Sequence, residues 1–145
     1  MKNNILFEKH FQIKGGDFQN GGWVSTEIKG ILKQLGLDFK LIRRVAIAAY
    51  EAEMNVVIYA KRADLSLIIT PEKIKIIVDD EGPGIENLEL AMKSGYSTAP
   101  PKIREMGFGA GMGLPNMKKN SDYFKIETQV NKGTTVKMEF LLNSH

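Results

Sequence analysis

The 145-residue sequence contains no cysteine, one tryptophan and two histidines. Disulfides and thiolate metal centres are therefore excluded, and His10 and His145 cannot form a metal site by spacing. No glycine is followed by the Lys-Ser or Lys-Thr pair that a P-loop needs. No apolar run approaches the length required to cross a bilayer. Met1-Lys2-Asn3-Asn4-Ile5 leads straight into a strand pattern without the long apolar region of a signal peptide, so the expected location is cytoplasmic. Excess charge of one sign is missing too: the net charge is +3 with basic residues spread along the chain, which argues against a nucleic-acid surface. A hydrophobic content of 43% at this length is enough for one core, and residues 1–145 are expected to form a single soluble domain.

Glycine is abundant where other features are scarce. Gly107-Phe-Gly109-Ala-Gly111-Met-Gly113 packs four glycines into seven residues, and Leu114-Pro115-Asn116-Met117-Lys118-Lys119 then reads as a helix with proline in its first turn. Bare backbone N–H groups thus meet the positive end of a helix dipole, an arrangement suited to phosphate. A flexible surface loop has the same composition, so the surrounding chain must decide.

From Ile5 to Ile13 apolar residues alternate with Glu8, His10 and Gln12, the period of a half-buried strand with His10 facing solvent. An amphipathic helix follows, carrying Trp23, Val24, Ile28, Ile31, Leu32 and Leu35 and ended by Gly36. Asp38 can cap a second helix running to about Ala60, whose Leu41, Val45, Ala49, Ala52 and Val56 face the core. Asp64 to Thr70 and Lys73 to Asp79 read as strands of a hairpin turning at Thr70-Pro71-Glu72. Asn87 to Ser94 reads as a short helix and Gly95 to Met106 as a mobile segment. Tyr123 to Val130 and Thr134 to Leu142 form a closing hairpin around Asn131-Lys132-Gly133. The order β-α-α-β-β-loop-α-β-β predicts an α+β fold, a two-layer sandwich with a mixed or antiparallel sheet covered on one face by helices.

On the second helix Glu51 and Asn55 are four residues apart and point to the same side. A carboxylate in a partly desolvated cleft can accept a proton from an attacking hydroxyl, and a neutral amide oxygen suits Mg²⁺. Ordinary solvated helix residues show the same spacing. Glu53, two positions on, turns to the other side and reads as surface. Asp80 ends a strand before a turn with Gly82 and Gly84; its carboxylate can accept from an exocyclic amine, or simply bond its own turn.

Taken together these segments resemble the ATP-binding fold shared by gyrase, the Hsp90 chaperones, sensor histidine kinases and MutL, the GHKL superfamily. Glu51-Ala-Glu-Met-Asn55 resembles its E-x-x-x-N box and Asp80-Glu-Gly82-Pro-Gly84 its D-x-G-x-G box. Gly107 to Gly113 resembles its second glycine box, and Gly133-Thr134-Thr135-Val136 its final G-T motif. Four boxes in the right order cover the chain from about Arg43 to Phe140. Within that superfamily the chain is similar to bacterial anti-sigma factors and, through Asn55-Val-Val-Ile-Tyr59-Ala60 and Gly109-Ala-Gly-Met-Gly-Leu-Pro115, to the switch-protein serine kinases of partner-switching modules. Anti-sigma members more often carry histidine where Tyr59 stands.

By matching position, the resemblance implies that Glu51 polarises an attacking serine hydroxyl and that Asn55 binds Mg²⁺ at the ATP phosphates. Asp80 holds the adenine amino group, Gly82 and Gly84 let the base pack, and Thr134 supports the adenine end. Gly107, Gly109, Gly111 and Gly113 cradle phosphates, while Lys102 or Arg104 reaches the terminal phosphate. The expected activity is Mg-ATP-dependent phosphorylation of serine or threonine on a STAS-type anti-anti-sigma protein, with a sigma factor as a second partner and a homodimer paired through the first strand. Two other readings stand beside it: a nucleotide-gated module that sequesters a sigma factor without phosphotransfer, and a free-standing histidine-kinase catalytic domain.

Overall fold

The computed structural model describes residues 4–95, 97, 99 and 111–142. Its elements in chain order are β1 (Phe7–Lys14), α1 (Trp23–Gln34), α2 (Phe39–Tyr59), β2 (Arg62–Ile69), β3 (Lys73–Glu81), α3 (Leu88–Ala91), α4 (Gly113–Asn120), β4 (Tyr123–Gln129) and β5 (Gly133–Leu141). The strands form one sheet in the order β1-β2-β3-β5-β4, with every neighbouring pair antiparallel. The choice between mixed and antiparallel is thereby resolved.

Period-2 alternation explains the layering. Register places Leu65 opposite Val78, Leu67 opposite Ile76 and Ile69 opposite Ile74, and Ile76 lies opposite Met138 on the next strand. All are buried on one face, joined by Phe11 and Ile13 of β1 and by Val136 and Phe140 of β5. Of the residues between them, Lys75, Lys137 and Glu139 carry charge beside Ser66, Ile68 and Ile77. Arg62 bridges Asp64 and Glu81, and Lys73 meets Glu139 at 3.0 Å, so this face can remain in water. His10 lies there, its ring bonded to Glu8 and Ser66.

The helices cover the apolar face. Asp38 caps α2 through bonds from the N–H groups of Lys40 (3.1 Å) and Leu41 (3.2 Å), and Gly36, at φ +71°, closes the end of α1. Leu41, Val45, Ala49, Ala52 and Val56 of α2 are all buried. Their small members let α2 lie close to its neighbours, α1 on one side and α4 on the other.

Two expectations need correction, one at Glu53 and one at Asn87 to Ser94. Glu53 is not on the surface: it is 2% exposed, because the opposite side of α2 is where α1 packs. Of the apolar residues at the ends of α1, Trp23 is 57% exposed; it stands at the first position of α1 and its ring meets Phe11 edge-on. Leu35, past the last turn of α1, is also exposed. The helix expected over Asn87 to Ser94 is a single turn, Leu88–Ala91, capped by Asn87 and followed by turns that reach Gly95 at φ +89°. Of the segment from Gly95 to Met106, most lies outside the described residues.

Candidate functional site

One cleft of about 610 Å³ opens between α2, the end of β3, the following turn and the start of α4. Its volume lies in the range of sites that hold a nucleotide-sized ligand. Glu51, Asn55, Asp80, Gly84, Gly111, Gly113 and Thr134 all line it. The structure thus brings together residues that the sequence scatters over more than 80 positions. Gly107, Gly109, Lys102 and Arg104 lie outside the described residues.

The end of the cleft nearest the sheet is built from backbone. Asp80 lies within β3, and its Oδ1 accepts the N–H of Thr134 at 3.0 Å. Burial pushes its carboxyl above the usual carboxylate range, the Thr134 N–H pulls in the opposite direction, and the charge of Asp79 adds to the rise. An acceptor is therefore held in a partly dry wall. Two glycines make the close approach possible. A β-carbon at Gly133, which has φ +152°, would collide with the carbonyl of Asp80; one at Gly84, φ +75°, would collide with the carbonyl of Gln129. Gly82 does not line the cleft; a β-carbon there would press on Ala60 at 3.1 Å, at the end of α2.

Two turns are tied together at this end. Asn131 N–H donates to the Pro83 carbonyl (2.8 Å), and Gly82 N–H donates to Lys132 (3.2 Å). Thr128 adds a side chain: its Oγ1 accepts from the Ile85 N–H at 2.9 Å and lies 2.9 Å from the hydroxyl of Thr134. Sequence reasoning missed Thr128. The strand register, which sets it opposite Thr134, was the signal that could have found it.

The other end is built from helices. Glu51 and Asn55 project from α2 toward the first residue of α4; a methyl group at Gly113 would lie 3.6 Å from Glu51 Oε1 and 4.0 Å from Asn55 Oδ1. Among the described residues the start of α4 has no side-chain cap, and its first turn holds no acid. Its leading N–H groups and the positive end of its dipole are thus available to an anion. Asn116, one turn into α4, donates from Nδ2 to Glu51 Oε2 at 3.0 Å. Spacing within either helix could not reveal a pairing across 65 positions.

Glu53 has a different task. Its Oε2 accepts the N–H groups of Gly22 (3.0 Å) and Val24 (3.1 Å), and its Oε1 that of Ser25 (2.9 Å). The carboxylate caps α1 from another helix.

An acid and an amide thus face a helix N-terminus at one end of the cleft, and a partly buried acceptor stands at the other. Residues 23–140 match the family described as "Histidine kinase-like ATPase domain", and the chain belongs to that family. Membership implies a nucleotide-binding domain. The chain is 32% identical over 143 residues to an "Anti-sigma F factor" of Caldanaerobacter subterraneus subsp. tengcongensis, covering 95% of this chain and 94% of that protein. It is 28% identical over 112 residues to the "Serine/threonine-protein kinase RsbT" of Bacillus subtilis, covering 74% of this chain and 78% of that one. Among solved structures, the RsbU and RsbW domains of a Mycobacterium tuberculosis protein share the fold, with a TM-score of 0.61 at 14% identity. That match covers 93% of this chain and 32% of the longer one.

Proposed function

We propose that this protein is a Mg-ATP-dependent serine/threonine protein kinase that acts as a switch or anti-sigma regulator, with a small STAS-type protein as its substrate. The observation that carries the proposal is the convergence of Glu51, Asn55 and the uncapped start of α4 at one end of the cleft, with Asp80 at the other. Asp80 accepts the adenine amine, and Gly84 lines the cleft wall beside the ring. The first N–H groups of α4 meet the phosphates. Glu51 accepts the proton of the attacking hydroxyl, as a general base in hydrogen-bond reach of it. Asn55 fits Mg²⁺ as a single neutral oxygen donor, since that ion commonly takes its remaining ligands from phosphate and water. The chemistry Mg²⁺ would supply at Asn55 is neutralisation of charge on the transferring phosphoryl group. Positioning supplies most of the rate.

A second reading is favoured by several relatives, which are anti-sigma factors. In it the nucleotide-loaded chain holds a sigma factor and transfers nothing. One assay separates the two: transfer of label from γ-labelled MgATP to the STAS-type protein encoded nearest this chain, with Glu51→Ala beside the wild type. Label on the partner, lost in Glu51→Ala while ATP still binds, is the expected result. Tight ATP binding with no labelled partner would overturn the kinase reading in favour of sequestration.

A further inference from the structure

Helix α4 is fastened to α2 at two levels. At its far end the Asn120 carbonyl accepts Arg44 Nε at 3.1 Å, and Arg44 also pairs with Asp122 at 2.9 Å. At its near end Asn116 donates to Glu51. Arg44 and Glu51 are seven residues apart, two turns along one face of α2, so the helices run antiparallel along a single line of contact. Met117 anchors α4 in the core between these fastenings, and Leu114 anchors it just before the nearer one.

Asn116 is itself well held. Its backbone N–H bonds the Met112 carbonyl (2.9 Å), and its own carbonyl accepts the Asn120 side chain (2.9 Å). The amide that reaches Glu51 therefore stands on a fixed base. It takes one carboxylate oxygen, Oε2, while Oε1 lies over Gly113 at the phosphate end. A glutamate has three side-chain torsions, and a general base that samples them freely spends little time in reach of a hydroxyl. A neutral donor can fix the carboxylate without introducing a second charge beside it.

From this we infer that Asn116 is a positioning residue for phosphotransfer: it holds the Glu51 carboxylate with one oxygen turned to the attacking hydroxyl, and registers that oxygen to the helix start that meets the phosphates. The inference rests on the kinase reading above and adds to it a residue outside the four motifs.

The test is steady-state phosphotransfer with Asn116→Ala and Asn116→Gln, alongside nucleotide affinity. Asn116→Ala is expected to lower kcat about 10- to 100-fold, the scale on which small misplacements of a catalytic group act. Its affinity for ATP stays within about twofold, because the N–H groups that meet the phosphates are unchanged. Asn116→Gln keeps the donor and recovers part of the rate. A wild-type kcat in Asn116→Ala, measured beside an active wild type, overturns the inference and leaves the kinase reading intact. An inactive wild type overturns both. Should Asn116→Ala fail to fold, the side-chain amide protons of Asn116 give an independent readout by NMR: they are expected to shift when Glu51→Ala removes their acceptor. An unchanged signal overturns the inference.

Discussion

Helix α2 presents two glutamates, two residues apart, to two different neighbours. Glu53 faces the start of α1, is 2% exposed, and has its carboxylate filled by three backbone N–H groups. Glu51 faces the start of α4, is half-buried, and has one amide on Oε2 while Oε1 lies at the cleft. Both carboxylates therefore sit near a helix N-terminus. The difference lies in what occupies the terminus. At α1 the protein's own acid fills it, whereas among the described residues no side chain caps α4, and an anion from outside can take that place. One helix thus uses the same side chain to finish a structure on one side and to leave a site open on the other.

The comparison breaks first if activity does not separate the two acids. Glu51→Gln should lower phosphotransfer by about 100-fold or more, the usual share of a general base, while thermal stability stays near wild type. Glu53→Ala should do the reverse. It strands three N–H donors, two of them buried and one part-buried, and bonds to a charged acceptor contribute about 1.5 to 3 kcal/mol each before relaxation, so a loss of roughly 2 to 4 kcal/mol is expected. The midpoint of urea unfolding measures it. Residual folded protein should bind ATP within about twofold of wild type; a loss of affinity without a loss of stability would place Glu53 in the site instead.

A smaller effect tests the other end of the cleft. Asp80→Asn keeps the shape but exchanges a charged acceptor for a neutral one, and should weaken ATP binding by roughly 1 to 3 kcal/mol. Calorimetric titration reads this directly. Guanine nucleotides supply a useful contrast, since they carry a carbonyl where adenine carries the amine. If Asp80→Asn leaves ATP affinity unchanged, the carboxylate does not meet the base.

Much of this was legible before any coordinates. The cap at Asp38, the stop at Gly36, the Thr70-Pro71-Glu72 hairpin and the apolar side of α2 are all written in short-range patterns, and short-range physics decides them. What periodicity specifies is the side of a helix on which a residue falls. It does not specify what packs against that side, which is why Glu53 read as surface. The partners of Glu51 and Asp80 posed the same difficulty: Asn116 and Thr134 come from elements 65 and 54 residues away, and only the packing of α2 on α4 and the pairing of β3 with β5 brings them in. The candidate site was legible as a set of motifs. Its internal wiring belongs to tertiary structure.

The smallest effect expected is also the one that best separates the two ends of the cleft. Asp80 has its carboxyl pushed above the ordinary value of about 3.9 by burial, so in the folded protein the ionised form is the disfavoured one. Unliganded stability should therefore lose a contribution as pH rises through the shifted value and regain it as pH falls back. Nucleotide binding runs the other way. An adenine amine is a donor and is held best by the ionised carboxylate, so affinity should fall as the pH drops into the window above 3.9 that the upward shift opens. Titration of ATP at successively lower pH should show an affinity loss that starts at higher pH than an unshifted aspartate would produce, and Asp80→Asn should flatten that part of the profile. A profile that keeps its slope in Asp80→Asn would assign the dependence to the phosphates, and would move the pH-sensitive contact from the sheet end of the cleft to the helix end.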